Sequence, residues 1–115
     1  MSALITIAEV PEFMRRAARL LSAEERMALV EYLAANPRAG DLIPGTGGVR
    51  KLRWARGARG KSAGVRAIYY FQSHAMPLYL LTVFGKNERA DLTAAERNEL
   101  AGLARMLKAT MRSAS

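Results

Sequence analysis

The sequence predicts an α+β domain, a mainly antiparallel sheet packed against N-terminal helices in the order β-α-α-β-β-β-α. Three observations predict it. Apolar residues recur at helical spacing in the first third and again near the end, and between them run three stretches of strand-type residues. Glycine and proline cluster at the changeover, in "ANPRAGDLIPGTGG". A chain of 115 residues, half of them hydrophobic, is long enough for one core and short for two, so a single domain over residues 1–115 is expected.

Each element has its own warrant. "ALITI" reads as a short strand. "PEFMRRAARLL" reads as a helix opened by Pro11, a residue suited to a first helical position, with Phe13, Met14, Ala17, Leu20 and Leu21 near helical spacing. Ser22 with Glu25 three residues later is a capping-box signature, so a second helix starts there with Met27, Val30 and Leu33 as its buried stripe. Residues 49–55, 65–72 and 77–85 read as a three-stranded meander joined by "ARGARGKSAG" and "QSHAMP". Thr93 with Glu96 repeats the capping box and opens a last helix with Leu100, Leu103, Leu107 and Met111 on one stripe. All helices are expected on one face of the sheet.

Charge is the most informative feature. The net charge is +8, yet residues 1–47 carry five basic and six acidic residues and residues 90–115 carry four and three. Residues 48–89 carry nine and one, so the whole excess lies in the middle third. A field so localised implies a polyanionic partner, nucleic acid first. The hairpin of residues 49–71 alone holds seven cations and no acid: Arg50, Lys51, Arg53, Arg56, Arg59, Lys61 and Arg66. Arginine dominates, and its planar fork matches phosphate oxygens bidentately.

Alternation along the strands sorts these cations. Lys51 and Arg53 share one face, and Leu52 and Trp54 share the other as core residues. In the next strand Arg66, Ile68 and Tyr70 lie together. In the last, Phe84 and Lys86 fall with Leu78 and Leu80. Tyr69 and Tyr70 point to opposite faces, one of them into the core and the other available to stack on a base or donate a proton.

Several chemistries are excluded or unsupported. The chain has no cysteine, hence no disulfide framework and no thiolate metal site. "GARGKS" lacks the spacing of a nucleotide-binding P-loop, and a strand rather than a helix follows it. His74, the only histidine, falls in a turn as a solvent-facing residue, and no ligand cluster accompanies it, so neither metal nor cofactor is expected. The N-terminus lacks the pattern of a secretory signal and no segment approaches bilayer length, so the expected location is cytoplasmic, with no membrane partner.

Residues 48–89, "GVRKLRWARGARGKSAGVRAIYYF" followed by "LYLLTVFGKNERADLT", resemble the RelE/HigB-type toxins of bacterial toxin–antitoxin modules, in the RelE/ParE superfamily. The paired elements are a K-x-R strand, then G-x-R-x-I-Y-Y, then a hydrophobic strand ending in G-K-N-E. The resemblance implies a small metal-independent endoribonuclease that enters the ribosomal A site, cleaves mRNA and is restrained by a cognate antitoxin of helix-turn-helix type. By position it implies catalytic roles for Lys51, Arg53, Arg66 and Lys86. Arg50, Arg56, Arg59, Lys61 and Arg89 would bind flanking RNA. The sequence departs from well-studied relatives at Asn87, where they carry arginine, and in having no tyrosine soon after. Two other readings share the fold or the charge: a ParE-like toxin that inhibits DNA gyrase, and a non-catalytic nucleic-acid-binding module.

Overall fold

In the computed structural model, which describes residues 4–54, 64–86, 88 and 91–114 (111–114 by backbone alone), eight elements follow one another. They are β1 (Ile7–Glu9), α1 (Pro11–Leu20), α2 (Ala23–Ala35), β2 (Asp41–Leu42), β3 (Val49–Trp54), β4 (Val65–Tyr70), β5 (Leu78–Gly85) and α3 (Ala94–Ala114). The sheet has the order β1-β5-β4-β3-β2, with β1 parallel to β5 and every other pair antiparallel. The expected α+β class and meander are present. The two-residue β2 adds an edge strand inside the stretch read as a connecting loop.

Local chemistry sets the helix ends. Pro11 opens α1 at a position where the missing N–H would have had no helical partner. At α2 the Ser22 hydroxyl accepts the Glu25 N–H at 3.0 Å, and the Glu25 carboxylate accepts the Ser22 N–H at 2.8 Å. Thr93 and Glu96 do the same for α3, at 3.1 and 2.8 Å. Each box satisfies two donors that helix geometry leaves orphaned.

The helices do not share one face, as the sequence suggested. On one side of the sheet Phe13 and Ala17 of α1, with Leu29 and Leu33 of α2, pack on Leu52, Val65, Ala67, Tyr69, Leu78, Leu80 and Val83. On the other side α3 lays Ala104, with Leu100, Leu103 and Leu107 beside it, on Val49, Ile68, Tyr70, Leu81 and Phe84. The central strands are therefore covered on both faces. Their near-continuous apolar runs fit that burial better than a sheet with one open side. In α2 the buried positions are Leu29, Leu33 and Ala34, whereas Met27 is exposed, as is Met14 in α1.

A β-bulge governs which side chains meet on which face. Opposite Ile68 stands Thr82, but opposite Tyr69 stands Leu80, so Leu81 is the extra residue of β5. The inserted residue reverses the alternation. Leu78 and Leu80 point to the α1/α2 side, while Leu81 and Phe84 point to the α3 side. The sequence expectation that Phe84 and Lys86 share a face with Leu78 and Leu80 fails for this reason.

The adjacent tyrosines are both fully buried, one in each core, so neither offers a ring to a base. Tyr69 also secures the α2–β2 connection. Its hydroxyl accepts the Gly40 N–H and donates to the Pro37 carbonyl, both at 2.8 Å. Gly40 is needed there because a Cβ would stand 3.0 Å from the Tyr69 ring and from the Lys51 carbonyl oxygen. Gly48 has φ near +123°, and a Cβ on it would meet the Tyr70 ring at 2.9 Å. Arg26 braces β1 against α2 by two hydrogen bonds to one Glu9 carboxylate oxygen, at 2.6 and 2.8 Å.

Replacing Tyr69 with phenylalanine keeps the ring and strands the buried Gly40 N–H and Pro37 carbonyl. We expect a loss of about 1–3 kcal/mol in denaturant unfolding, the usual cost of such orphaned groups. An unfolding midpoint equal to that of the unaltered chain would show that the hydroxyl does not pin this connection.

Candidate functional site

The register of β3 and β4 places the cations. Arg53 stands directly opposite Arg66, Lys51 opposite Ile68, and Val49 opposite Tyr70, all on the α3 side of the sheet. Toward one end of this face the side chains are apolar and covered by α3. Toward the other they are Lys51, Arg53 and Arg66, half-buried or exposed. Arg66 also pairs with Phe84 of β5. The Lys86 N–H bonds to the Gly64 carbonyl at 3.0 Å, one step past the Val65–Gly85 pair. Two residues beyond Phe84, Lys86 falls on the same side by alternation. The bulge thus brings Lys86 to the face that holds the other three cations. Sequence parity alone had left open whether they meet.

The charges are answered unequally. The Lys51 ammonium donates to the Asp91 carboxylate at 3.1 Å, tying β3 to the residues that lead into α3. Asp91 also accepts the Leu92 N–H at 2.7 Å, and Arg97 of α3 donates to the Leu92 carbonyl at 3.2 Å. The Leu92 N–H first, and then the Lys51 ammonium, hold the Asp91 carboxyl below the usual carboxylate range. Among the described residues neither Arg53 nor Arg66 forms an ion pair. Two arginines directly opposite each other on adjacent strands repel, and a bound anion would relieve that repulsion.

Arg50 lies elsewhere. It shares its face with Leu52 and Trp54, on the α1/α2 side, and donates to the carbonyls of Gly40 at 2.7 Å and Arg38 at 3.2 Å. Its Nε is buried and has no hydrogen-bond partner among the described residues. Alternation, applied to Arg50 as it was to Lys51, was the available signal for this placement. Arg56, Arg59, Lys61 and Arg89, with the bend that joins β3 to β4, lie outside the described residues, as does Asn87. Trp54 packs at the edge of the α1/α2 core with its ring 5.3 Å from that of Tyr32. His74 is exposed in its turn, edge-on to Phe71 at 5.5 Å.

Sequence reading missed Asp91, because its link to Lys51 spans forty residues and shows in no local pattern. Among the described residues no group of three or more histidine or acidic side chains is arranged to hold a metal ion. No helix of the described chain is long and apolar enough to cross a membrane.

What fold and face define together is a small α+β protein with Lys51, Arg53, Arg66 and Lys86 at one end of one sheet face. The family model for the RelE toxin of the RelE / RelB toxin–antitoxin system matches residues 11–114. The chain belongs to that family, and is thereby a toxin of a toxin–antitoxin system.

The lowered titration of Asp91 has a sign that can be tested. A carboxyl depressed in the folded state stabilises the fold above its ordinary titration range, and that contribution is lost as pH falls through the folded value. The difference in melting temperature between the unaltered chain and Asp91→Asn should therefore be positive near neutrality and close below about pH 4. It should be small, since the Asp91 side chain is 54% exposed. A difference independent of pH would separate Asp91 from the Lys51 contact.

Proposed function

We propose that this toxin is a metal-independent endoribonuclease that cleaves mRNA in the ribosomal A site, restrained in the cytoplasm by a helix-turn-helix antitoxin. The observation that carries the reading is the opposed Arg53–Arg66 couple, without an ion pair among the described residues, with Lys51 beside it. RNA brings its own nucleophile, the 2′-hydroxyl, which attacks the adjacent phosphorus in line and expels the 5′-oxygen. The enzyme then needs only to orient the strand and stabilise the charge that grows on the phosphoryl oxygens.

The geometry supports the following roles. Arg53 and Arg66 bind the scissile phosphate from two strands, where the rigid ladder holds both forks before substrate arrives. Lys51, anchored by Asp91, adds fixed positive charge at the same face. Lys86, exposed at the end of β5, carries the proton transfer. Arg56, Arg59, Lys61 and Arg89 hold flanking phosphates. The resemblance groups Arg50 with them, but its guanidinium is engaged with two loop carbonyls, and we assign it to the fold.

Arg53→Ala and Arg66→Ala should each lower cleavage of translated mRNA by roughly 10²–10³, the usual loss for one transition-state donor. Because each removes a like-charge neighbour, thermal stability should hold or rise. Mapping of mRNA 5′ ends after induction reads the first effect and a melting curve the second. Full cleavage by folded Arg66→Ala would refute the assignment. A toxic chain that leaves no fresh 5′ ends would point instead to a protein target such as gyrase. RNA affinity should also fall with salt, and each cation removed should reduce the log–log slope by about 0.7.

A further inference from the structure

Two carboxylates flank Lys51 in the fold. The register of β2 and β3 puts Asp41 directly opposite it on the edge strand, and Asp91 stands on the approach to α3. Among the described residues the ammonium is ion-paired with Asp91, at 3.1 Å, and not with Asp41. Lys51 is thus drawn toward the α3 approach rather than toward the β2 edge.

The acceptor is itself held by backbone. One oxygen, Asp91 Oδ1, accepts both the Lys51 ammonium and, at 2.7 Å, the Leu92 N–H. Arg97 holds the Leu92 carbonyl at 3.2 Å, and the Thr93–Glu96 capping box follows at the next residue. A free lysine ammonium swings on a flexible four-carbon stem, and a fixed acceptor confines it.

We propose that Asp91 is a positioning residue for RNA cleavage: it holds the Lys51 ammonium beside the Arg53–Arg66 couple and keeps phosphate from settling on that ammonium, so that the scissile phosphate seats on the two guanidiniums. The proposal deepens the endoribonuclease reading above and rests on it. Two effects combine. A carboxylate repels phosphate oxygens, which disfavours their contact with Lys51 on the Asp91 side. An anchored lysine also presents its charge in one place, with no reorganisation as the transition state forms. Without Asp91, Lys51 becomes a competing phosphate ligand. RNA then binds more tightly and in more registers, fewer of which set the 2′-hydroxyl in line with phosphorus. Binding and cleavage therefore move in opposite directions when the carboxylate is lost, whereas a merely structural role would lower both.

The test uses Asp91→Asn in the full chain. Asparagine keeps a side-chain oxygen able to accept the Leu92 N–H, so the start of α3 is preserved while the charge is removed. Binding is read with a 2′-O-methyl RNA oligonucleotide, which lacks the nucleophile, and cleavage by timed mapping of 5′ ends in a translated mRNA. Asp91→Asn should bind the oligonucleotide roughly two- to fivefold more tightly at low salt, a gain that fades at high salt. It should cleave at least about tenfold more slowly. In a Lys51→Ala background the same substitution should change the residual cleavage by less than about twofold, because its effect passes through Lys51. Glu31→Gln, the same charge change at an exposed position of α2, should cleave as the unaltered chain does. Full cleavage by Asp91→Asn, weaker oligonucleotide binding, or an equal loss in the Lys51→Ala background overturns the positioning role and leaves the endoribonuclease reading standing. An unaltered chain that cuts no translated mRNA overturns both.

Discussion

The single extra residue in β5 is the constraint on which the functional geometry depends. Without it, alternation would carry Phe84 to the α1/α2 side with Leu78 and Leu80, and α3 would lose one of its largest buried contacts. Lys86 would then fall on the face opposite Arg66. The bulge reverses the parity halfway along the strand. Leu78 and Leu80 before it therefore face the N-terminal helices, while Phe84 after it faces α3. Bulges recur near functional sites because they re-aim side chains without altering strand order.

A sheet buried on both faces needs two cores, and β4 supplies a large residue to each. Tyr69 and Tyr70 are both fully buried, on opposite sides. Burial pushes the titration of both phenols up, so both stay protonated and able to donate. Tyr69 donates to Pro37, and Tyr70 is bonded to the Gln72 side chain at 2.9 Å. Arg50 closes the same connection from β3 by reaching the carbonyls on either side of Ala39. The basic strand thus has two jobs on its two faces. Arg50 holds the scaffold, and Lys51 and Arg53 stand on the side that meets solvent.

How much of this the sequence discloses depends on the range of the interaction. Both capping boxes are legible because the partners are three residues apart, and the three long strands are legible from composition. Lys51 and Arg53 separate from Leu52 and Trp54 by parity alone. The bulge is hidden because "LYLLTVFG" is apolar almost throughout, so no polar position marks where alternation reverses. The side of the sheet taken by α3 is hidden for a related reason. Its leucine stripe would satisfy either face, and the choice is made by β4 and β5 residues distant in sequence. The strand β2 is too short for any periodicity, and the Lys51–Asp91 pair joins segments forty residues apart.

Charge placement links these features to function. Burying the central strands on both faces leaves few positions where an arginine can be presented rigidly. The uncovered end of the β3–β4 ladder is one of them. Side chains on a paired ladder are held in position before substrate arrives, whereas loop cations must be ordered at the moment of binding. The opposed like charges of Arg53 and Arg66 repel each other across the ladder. Lys51 differs because it is ion-paired with Asp91, and the pair ties the approach to α3 to the same face. The cationic end therefore depends on α3 in two ways: its Asp91 approach holds Lys51, and its apolar stripe covers the Val49, Ile68 and Tyr70 end of the same face, away from Arg53 and Arg66.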